Sequence, residues 1–188
     1  MNTLNNANRT QYLMMVAGAV LVIVNMLLFQ QNKQLKAMAR DRVKSQEIKP
    51  GTRLPALSGL DASGKKVVID YGGDVRKTLL MIMSPGCGPC KENMENWQAL
   101  RRQLDKRLYR IVGVSLNQEG LGDYINTHHL RDLPMIAEPE AAAKAAYNLK
   151  FTPQTFLIDS SGKVEKVWTG NLAGEHRQDI ESLLNVRF

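Results

Sequence analysis

Only two cysteines occur among 188 residues, and only three histidines. That scarcity excludes a scaffold of several disulfides. It also argues against structural zinc, which takes four ligands and would find only His128, His129 and His176 beside a single cysteine pair. Low-complexity tracts and repeats of solenoid length are missing as well, so a repeat architecture is excluded. With 44% hydrophobic and 23% charged residues, the chain fits one globular domain plus a short appendage. The formal net charge of +7 suggests nucleic acid until it is divided along the chain. Residues 1–53 hold eight Lys or Arg against Asp41 and Glu47, whereas the rest hold seventeen against sixteen. The folded part is nearly neutral and has no basic stretch interleaved with aromatics, so no nucleic-acid partner is expected.

The basic excess instead flanks one apolar run, Tyr12 to Phe29, eighteen residues with Asn25 as the only strongly polar member. As a helix this run spans about 27 Å, close to the hydrocarbon thickness of a bilayer. It reads as an uncleaved transmembrane anchor over 12–29, after an N-terminal tail over 1–11. A cleaved signal peptide is the competing reading, since Ala37-Met38-Ala39 has the small-x-small form of a cleavage site. That site lies beyond Gln30, Gln31, Lys33 and Lys36, too far and too polar for an ordinary one. Residues 30–49 are polar and read as a partly helical juxtamembrane linker, and Pro50-Gly51 marks the start of a domain over 50–188. Lys33, Lys36, Arg40, Arg42 and Lys44 follow the span, against Arg9 before it. By the positive-inside rule these flanking charges argue for a cytoplasmic domain.

After Pro50-Gly51 the chain alternates strand-like and helix-like stretches, the pattern of a layered α/β domain. Val67-Val68-Ile69 after the turn signal Asp61-Ala62-Ser63-Gly64 suggests a leading hairpin. Leu79 to Met83 is a continuous apolar run, as expected of a central strand covered on both faces. Ile111 to Leu116 gives a second buried strand, Leu121 to His129 a helix, Pro134 to Ala137 a short strand and Pro139 to Leu149 an alanine-rich helix. Thr155 to Asp159 and Val164 to Thr169 form a hairpin, and Glu175 to Leu184 closes as a helix.

Both cysteines lie in Cys87-Gly88-Pro89-Cys90, directly after the central strand. A dithiol at this spacing can close and reopen a local disulfide. Cys90, Met94, Trp97, Leu100 and Leu104 recur every three or four residues, which predicts one helix running to about Lys106 with Cys90 on its inward face. Pro89 suits the first turn of that helix, where its missing N–H costs nothing, and Cys87 falls just before it. A thiolate at Cys87 would meet free backbone N–H groups and the positive end of the helix dipole. Cys87 is therefore expected to be the exposed nucleophile and Cys90 the sheltered thiol that resolves a mixed disulfide. A permanent structural disulfide is the bland alternative, but so short a loop gives little stabilisation through chain entropy. His128-His129 read as a surface pair at a helix end, and Trp97 and Trp168 as packing residues.

The strand Leu79 to Met83, Cys87-Gly88-Pro89-Cys90-Lys91 opening a helix, Phe151-Thr152-Pro153-Gln154-Thr155-Phe156-Leu157-Ile158-Asp159, then Ser161-Gly162-Lys163-Val164 and Thr169-Gly170 together resemble a thioredoxin-fold domain of the TlpA/ResA type. Proteins of that type are membrane-anchored thiol-disulfide oxidoreductases. The resemblance covers about residues 50–186 and implies a thioredoxin-like α/β fold with an N-terminal β-hairpin and an inserted βα unit over about Gly120 to Leu149, preceded by one transmembrane helix. It further implies that Pro153 is a cis-proline lying against the dithiol, that Thr152 offers its backbone to an extended substrate segment, and that Gly170 lies near the same groove. No cofactor or metal is implied beyond the redox-active pair. The implied partners are disulfide-containing protein substrates and a transmembrane electron donor of the CcdA/DsbD type. The implied location is extracytoplasmic, in the periplasm, where cytochrome c maturation is one such use.

Several residues depart from the family pattern. Gly86 stands where thioredoxins have Trp before the first cysteine, which makes the rim of the site smaller. Ser84-Pro85 resembles the MauD-like branch. Gly88 stands where ResA-type proteins often carry Glu, and Met81 occupies the place of thioredoxin's buried Asp, with nothing ionisable replacing it in Leu79 to Met83. These departures leave direction open between a reductase and an oxidase or isomerase, because a Cys-x-x-Cys pair ranges from about −270 to about −120 mV. A non-enzymatic rival is a membrane-tethered metallochaperone holding copper through the dithiol. A peroxiredoxin is disfavoured, since Leu80 and Met83 stand seven residues before the cysteines where that motif has Pro.

Overall fold

The computed structural model describes residues 3–45 and 47–187, so residues 1, 2, 46 and 188 of the expected segments lie outside it. The chain divides into two units, 1–45 and 46–188. The first is a single helix, α1 (Thr3–Ser45), whose stretch Gln11–Ala39 is long and apolar enough to cross a membrane. Side chains throughout that stretch are exposed, Leu13, Leu21, Ile23 and Phe29 each by more than half. Its one strongly polar apolar-run member is satisfied internally, because Asn25 Nδ2 donates to the Leu21 carbonyl at 2.9 Å. α1 does not stop where the apolar run stops. The Gln, Lys, Leu, Ala and Met residues that follow are good helix formers, and the helix runs through most of the stretch read as linker.

In the second unit the elements are β1 (Leu57–Leu60), β2 (Lys66–Ile69), β3 (Lys77–Met83), α2 (Gly88–Glu92), α3 (Met94–Gln103), β4 (Tyr109–Ser115), α4 (Leu121–Thr127), β5 (Met135–Ala137), α5 (Ala141–Ala146), β6 (Gln154–Ile158), β7 (Val164–Thr169) and α6 (Glu175–Leu184). The strands form one mixed sheet in the order β2-β1-β5-β4-β3-β6-β7. β3 and β4 are parallel, β3 and β6 antiparallel, and the hairpins β1–β2 and β6–β7 close the two edges. This is the expected α/β thioredoxin-like architecture, with leading hairpin and inserted βα unit, preceded by a long apolar helix.

β3 is buried on both faces because its side chains alternate between two cores. Leu79, Met81 and Met83 join one cluster with Cys90, Trp97, Leu100, Trp168 and Ile180. Leu80 and Ile82 join the other, with Val112, Val114, Phe156, Ala143 and Tyr147. Two helices differ from expectation. The helix expected from the cysteine motif to Lys106 is two, α2 and α3, meeting at Asn93, and the second ends at Gln103. The alanine-rich helix is only Ala141–Ala146, because Tyr147 leaves the helix to bury its ring and Asn148 turns left-handed at φ 46°.

Tyr147 joins three separate parts of the second core. Its hydroxyl donates to the Pro55 carbonyl and sits 2.8 Å from the Tyr71 hydroxyl, so Tyr71 supplies the proton of that second bond. Burial pushes the Tyr71 phenol up to about 12 and the Tyr147 phenol higher still. A Tyr147→Phe variant leaves the Tyr71 hydroxyl and Pro55 carbonyl without this partner, and it should lower unfolding stability by about 1–3 kcal/mol. Urea unfolding checks this; an unchanged midpoint and slope would show that the pair contributes nothing.

Candidate active site

β3 delivers the chain to the site and a short turn places the sulfurs. Met83 ends the strand, its carbonyl accepting from Leu116 N–H at 3.0 Å, and Cys87 N–H closes back on the Ser84 carbonyl at 3.0 Å. The Ser84 hydroxyl donates to Asn117 Oδ1 at 3.0 Å, tying this turn to the loop before α4. Cys87 is the N-cap of α2, and its Sγ accepts from the backbone N–H of Cys90 at 3.1 Å. Gly88 and Pro89 form the exposed first turn, with Pro at its start where no N–H is needed.

Cys87 and Cys90 are joined as a disulfide whose two ends differ in environment. Cys87 is half-buried at the surface, whereas Cys90 is fully buried within the first core. Among the described residues the buried polar side chains are Thr78, Asn93, Ser115, Gln154 and Thr155, so no buried Asp, Glu, Lys, Arg or His is at hand to assist proton transfer at Cys90. α2 has five residues, and right-handed helical backbone continues through Asn93 into α3, with Asn93 N–H on the Pro89 carbonyl and Trp97 N–H on the Asn93 carbonyl. At Cys87 the sulfur meets the local Cys90 N–H, one of the free donors in a first turn.

The Thr152–Pro153 bond is cis, Pro153 is buried and Thr152 half-exposed. Their place follows from the sheet, because β6 pairs antiparallel with β3 and sets Gln154 opposite Ile82. Continuing that register by one residue brings Pro153 level with Met83, at the end of β3 that leads to Cys87. The structure thus brings Gly86, Cys87, Gly88, Pro89, Cys90, Thr152 and Pro153 to one end of the sheet. Gly170, at φ 97°, donates its N–H to the Pro153 carbonyl at 2.8 Å. Gly86 and Gly88 are exposed, with open space where a Cβ would lie. Among the described residues, no group of three or more His, Cys, Asp or Glu is placed to hold a metal ion.

Two asparagines that the sequence reading passed over hold the site together. Asn93 is fully buried, and its Oδ1 accepts from Leu172 N–H at 2.8 Å and from Asn96 Nδ2 at 3.2 Å. Asn171 Nδ2 donates to Glu92 Oε2 at 2.9 Å. These bonds fasten the end of α2 to the loop that also carries Gly170, and through Gly170 to Pro153. A signal existed, since Asn93 stands three residues after Cys90 on the inward face of an apolar stripe. Trp97 Nε1 donates to Thr155 Oγ1 at 2.9 Å, a further tie between α3 and β6 beneath the site. His128 is half-buried rather than a free surface group, with its ring centroid 4.4 Å from that of Tyr124.

The model of the AhpC/TSA family matches residues 50–167. Sporulation thiol-disulfide oxidoreductase A of Bacillus subtilis is 24% identical over 109 residues, covering 55% of this chain and 66% of that protein. Thiol-disulfide oxidoreductase ResA of Geobacillus thermodenitrificans is 26% identical over 136 residues, 71% of this chain and 77% of that protein. The crystal structure of the thioredoxin domain of a thiol-disulfide oxidoreductase from Bacteroides vulgatus superposes with a TM-score of 0.57 at 19% identity, covering 74% of this chain and all of that one.

Replacing Asn93 by Leu removes the acceptor for a buried Leu172 N–H, and should lower unfolding stability by about 1–3 kcal/mol. Because the loss falls between α2 and the loop holding Pro153, amide hydrogen exchange should rise at Leu172 and Gly170 more than in β4. Uniform acceleration across the domain would remove the local role given to Asn93.

Proposed function

This chain belongs to the AhpC/TSA family and is a thioredoxin-fold thiol-disulfide oxidoreductase, and on that premise we propose that it reduces disulfides of proteins outside the cytoplasm. The observation that carries the reading is the unequal burial of the two sulfurs at the end of β3, beside a half-exposed backbone at Thr152. A substrate segment can lie extended along Thr152 and present its disulfide to Cys87. Cys90, sealed in the core, reaches only Cys87.

The working cycle starts from the reduced dithiol. The Cys87 thiolate attacks one sulfur of the substrate disulfide; a Cys87–substrate bond forms, the substrate S–S bond breaks, and the electron pair leaves on the second substrate sulfur, which takes a proton. Cys90, losing its proton to solvent or to that leaving thiolate, then attacks Cys87 Sγ and releases the first substrate thiol. Two electrons have passed to the substrate, and the protein is left as the Cys87–Cys90 disulfide. A dithiol donor must then return two electrons, and the donor class that fits a chain with an apolar anchor helix is a transmembrane one of the CcdA/DsbD type.

Support for the reductive direction comes from what surrounds the pair. Strongly oxidising pairs owe their potential to a stabilised reduced form. Here Cys87 has one backbone N–H on its sulfur and the uncharged Gly86 and Gly88 on either side. So little stabilisation of the thiolate favours the reducing end of the range. The ResA-named relatives and the long apolar helix support an anchored, extracytoplasmic enzyme, against the charges that flank the span.

Cys87→Ser should abolish turnover of a protein disulfide, whereas Cys90→Ser should accumulate a covalent complex that dithiothreitol releases; full activity in either variant would sink the assignment of roles. In spheroplasts, a membrane-impermeant maleimide should label Cys87 at steady state, and labelling should disappear when the transmembrane donor is deleted. Labelling only after lysis would place the domain in the cytoplasm, and a pair that stays oxidised with the donor present would mark an oxidase.

A further inference from the structure

A second cleft adjoins the disulfide on the side of Pro85 and Gly86. It encloses about 480 Å³ between the turn before Cys87, Lys91 of α2, and the first turns of α4 with the loop before them. Its charged residues are uncommitted: Lys91, Glu119 and Asp123 line it, and none has an ion-pair partner among the described residues. A larger groove of about 650 Å³ at the other end of β3 is more basic but differs in this respect. There Arg76 is held by Asp74 at 2.7 Å, Arg101 by Asp132 at 2.6 Å, and Arg110 by Asp74 and the Thr78 hydroxyl. Its guanidiniums are largely occupied by the fold.

Two further observations point to an occupant for the smaller cleft. Tyr124 lines it and is only 5% exposed, yet its hydroxyl is buried without a hydrogen-bond partner among the described residues. A buried hydroxyl left in that state is unfavourable. Gly86 forms the rim nearest Cys87, and its missing side chain leaves the entrance open. The walls carry two carboxylates against one ammonium, and the Tyr124 and His128 rings lie side by side on one wall. Burial, together with Lys91 and His129, holds the His128 imidazole below its ordinary value, so it adds no lasting positive charge at neutral pH.

We propose that this cleft is a recognition pocket for the substrate, receiving an arginine or lysine side chain that flanks the cysteine attacked by Cys87. The cationic head lies between Glu119 and Asp123, beside the Tyr124 and His128 rings. A substrate chain lying along Thr152 then crosses Cys87 and ends beside Gly86, so disulfide and basic residue are bound from opposite sides of the same sulfur. The pocket gives selectivity among disulfides of equal reactivity.

The inference rests on the oxidoreductase reading, and one experiment keeps the two apart. The reduced wild-type protein is first given bis(2-hydroxyethyl) disulfide, which is too small and uncharged to use the cleft; failure to reduce it removes the oxidoreductase reading itself. Two synthetic disulfide peptides that differ only in Arg or Glu next to the attacked cysteine are then compared by stopped flow. KM should be about fivefold lower for the Arg peptide, the size of two partly screened ion pairs, with kcat little changed and the difference shrinking at high salt. In the doubly substituted Glu119→Gln, Asp123→Asn protein the ratio between peptides should fall below about twofold, and because it is a ratio, a general loss of activity cancels. Gly86→Trp, which fills the entrance, should also erase the preference. Equal KM values in the wild-type protein, or preference for Glu, would overturn the pocket while leaving the oxidoreductase reading intact.

Discussion

The site depends on the antiparallel pairing of β6 with β3 at the centre of the sheet. β3 ends where the disulfide begins, and β6 begins where the cis-proline ends, so antiparallel pairing places both at one end of the sheet. A parallel pairing would have carried Thr152 to the far end of β3, about 20 Å away for a strand of this length. The register matters as much as the direction. Met81 stands opposite Thr155, whose hydroxyl accepts the Trp97 N–H on the face that buries Cys90. A slip of one residue would turn Thr155 to the other core and leave that indole N–H without its partner.

Around this pairing, the two flanks of the disulfide are built differently. On the Pro153 flank the contacts are closed and specific: Gly170 bonds to Pro153, Leu172 to Asn93, and Asn171 to Glu92. On the Gly86 flank the surface is open and polar, with charges that have no ion-pair partner among the described residues. The first flank fixes the geometry of sulfur and backbone. The second has the variety of polar groups that discriminates between side chains. The same contrast runs through the sulfurs, since Cys87 keeps access at the surface while Cys90 is sheltered in an apolar core.

Much of this was legible in the chain itself. Leu79 to Met83 showed as a two-sided buried strand because an uninterrupted apolar run satisfies both faces at once. The hairpin of β6 and β7 was legible because two apolar runs flank the turn residues Ser160-Ser161-Gly162-Lys163. The break at Asn93 was not legible from periodicity, because α2 and α3 keep the inward stripe of Cys90, Met94, Trp97 and Leu100 across it. The side chain at that position accepts from the Leu172 N–H, 79 residues away, a contact that local pattern does not record. The same holds at the early end of α5, with Tyr147 committed to Tyr71 and Pro55.

By itself the sequence determined most of the elements, the pair of thiols and the inequality of their burial, since these follow from local spacing: an apolar strand, a proline-containing first turn, and a stripe that points one cysteine inward. It also determined that one helix is apolar enough to cross a membrane. Only the tertiary structure decided which strand lies beside β3, what fastens Pro153 in place, and that Lys91, Glu119, Asp123 and Tyr124 surround one cleft next to Gly86. Those facts depend on contacts between residues far apart in the chain, fixed by packing and sheet register, and local pattern carries no record of them.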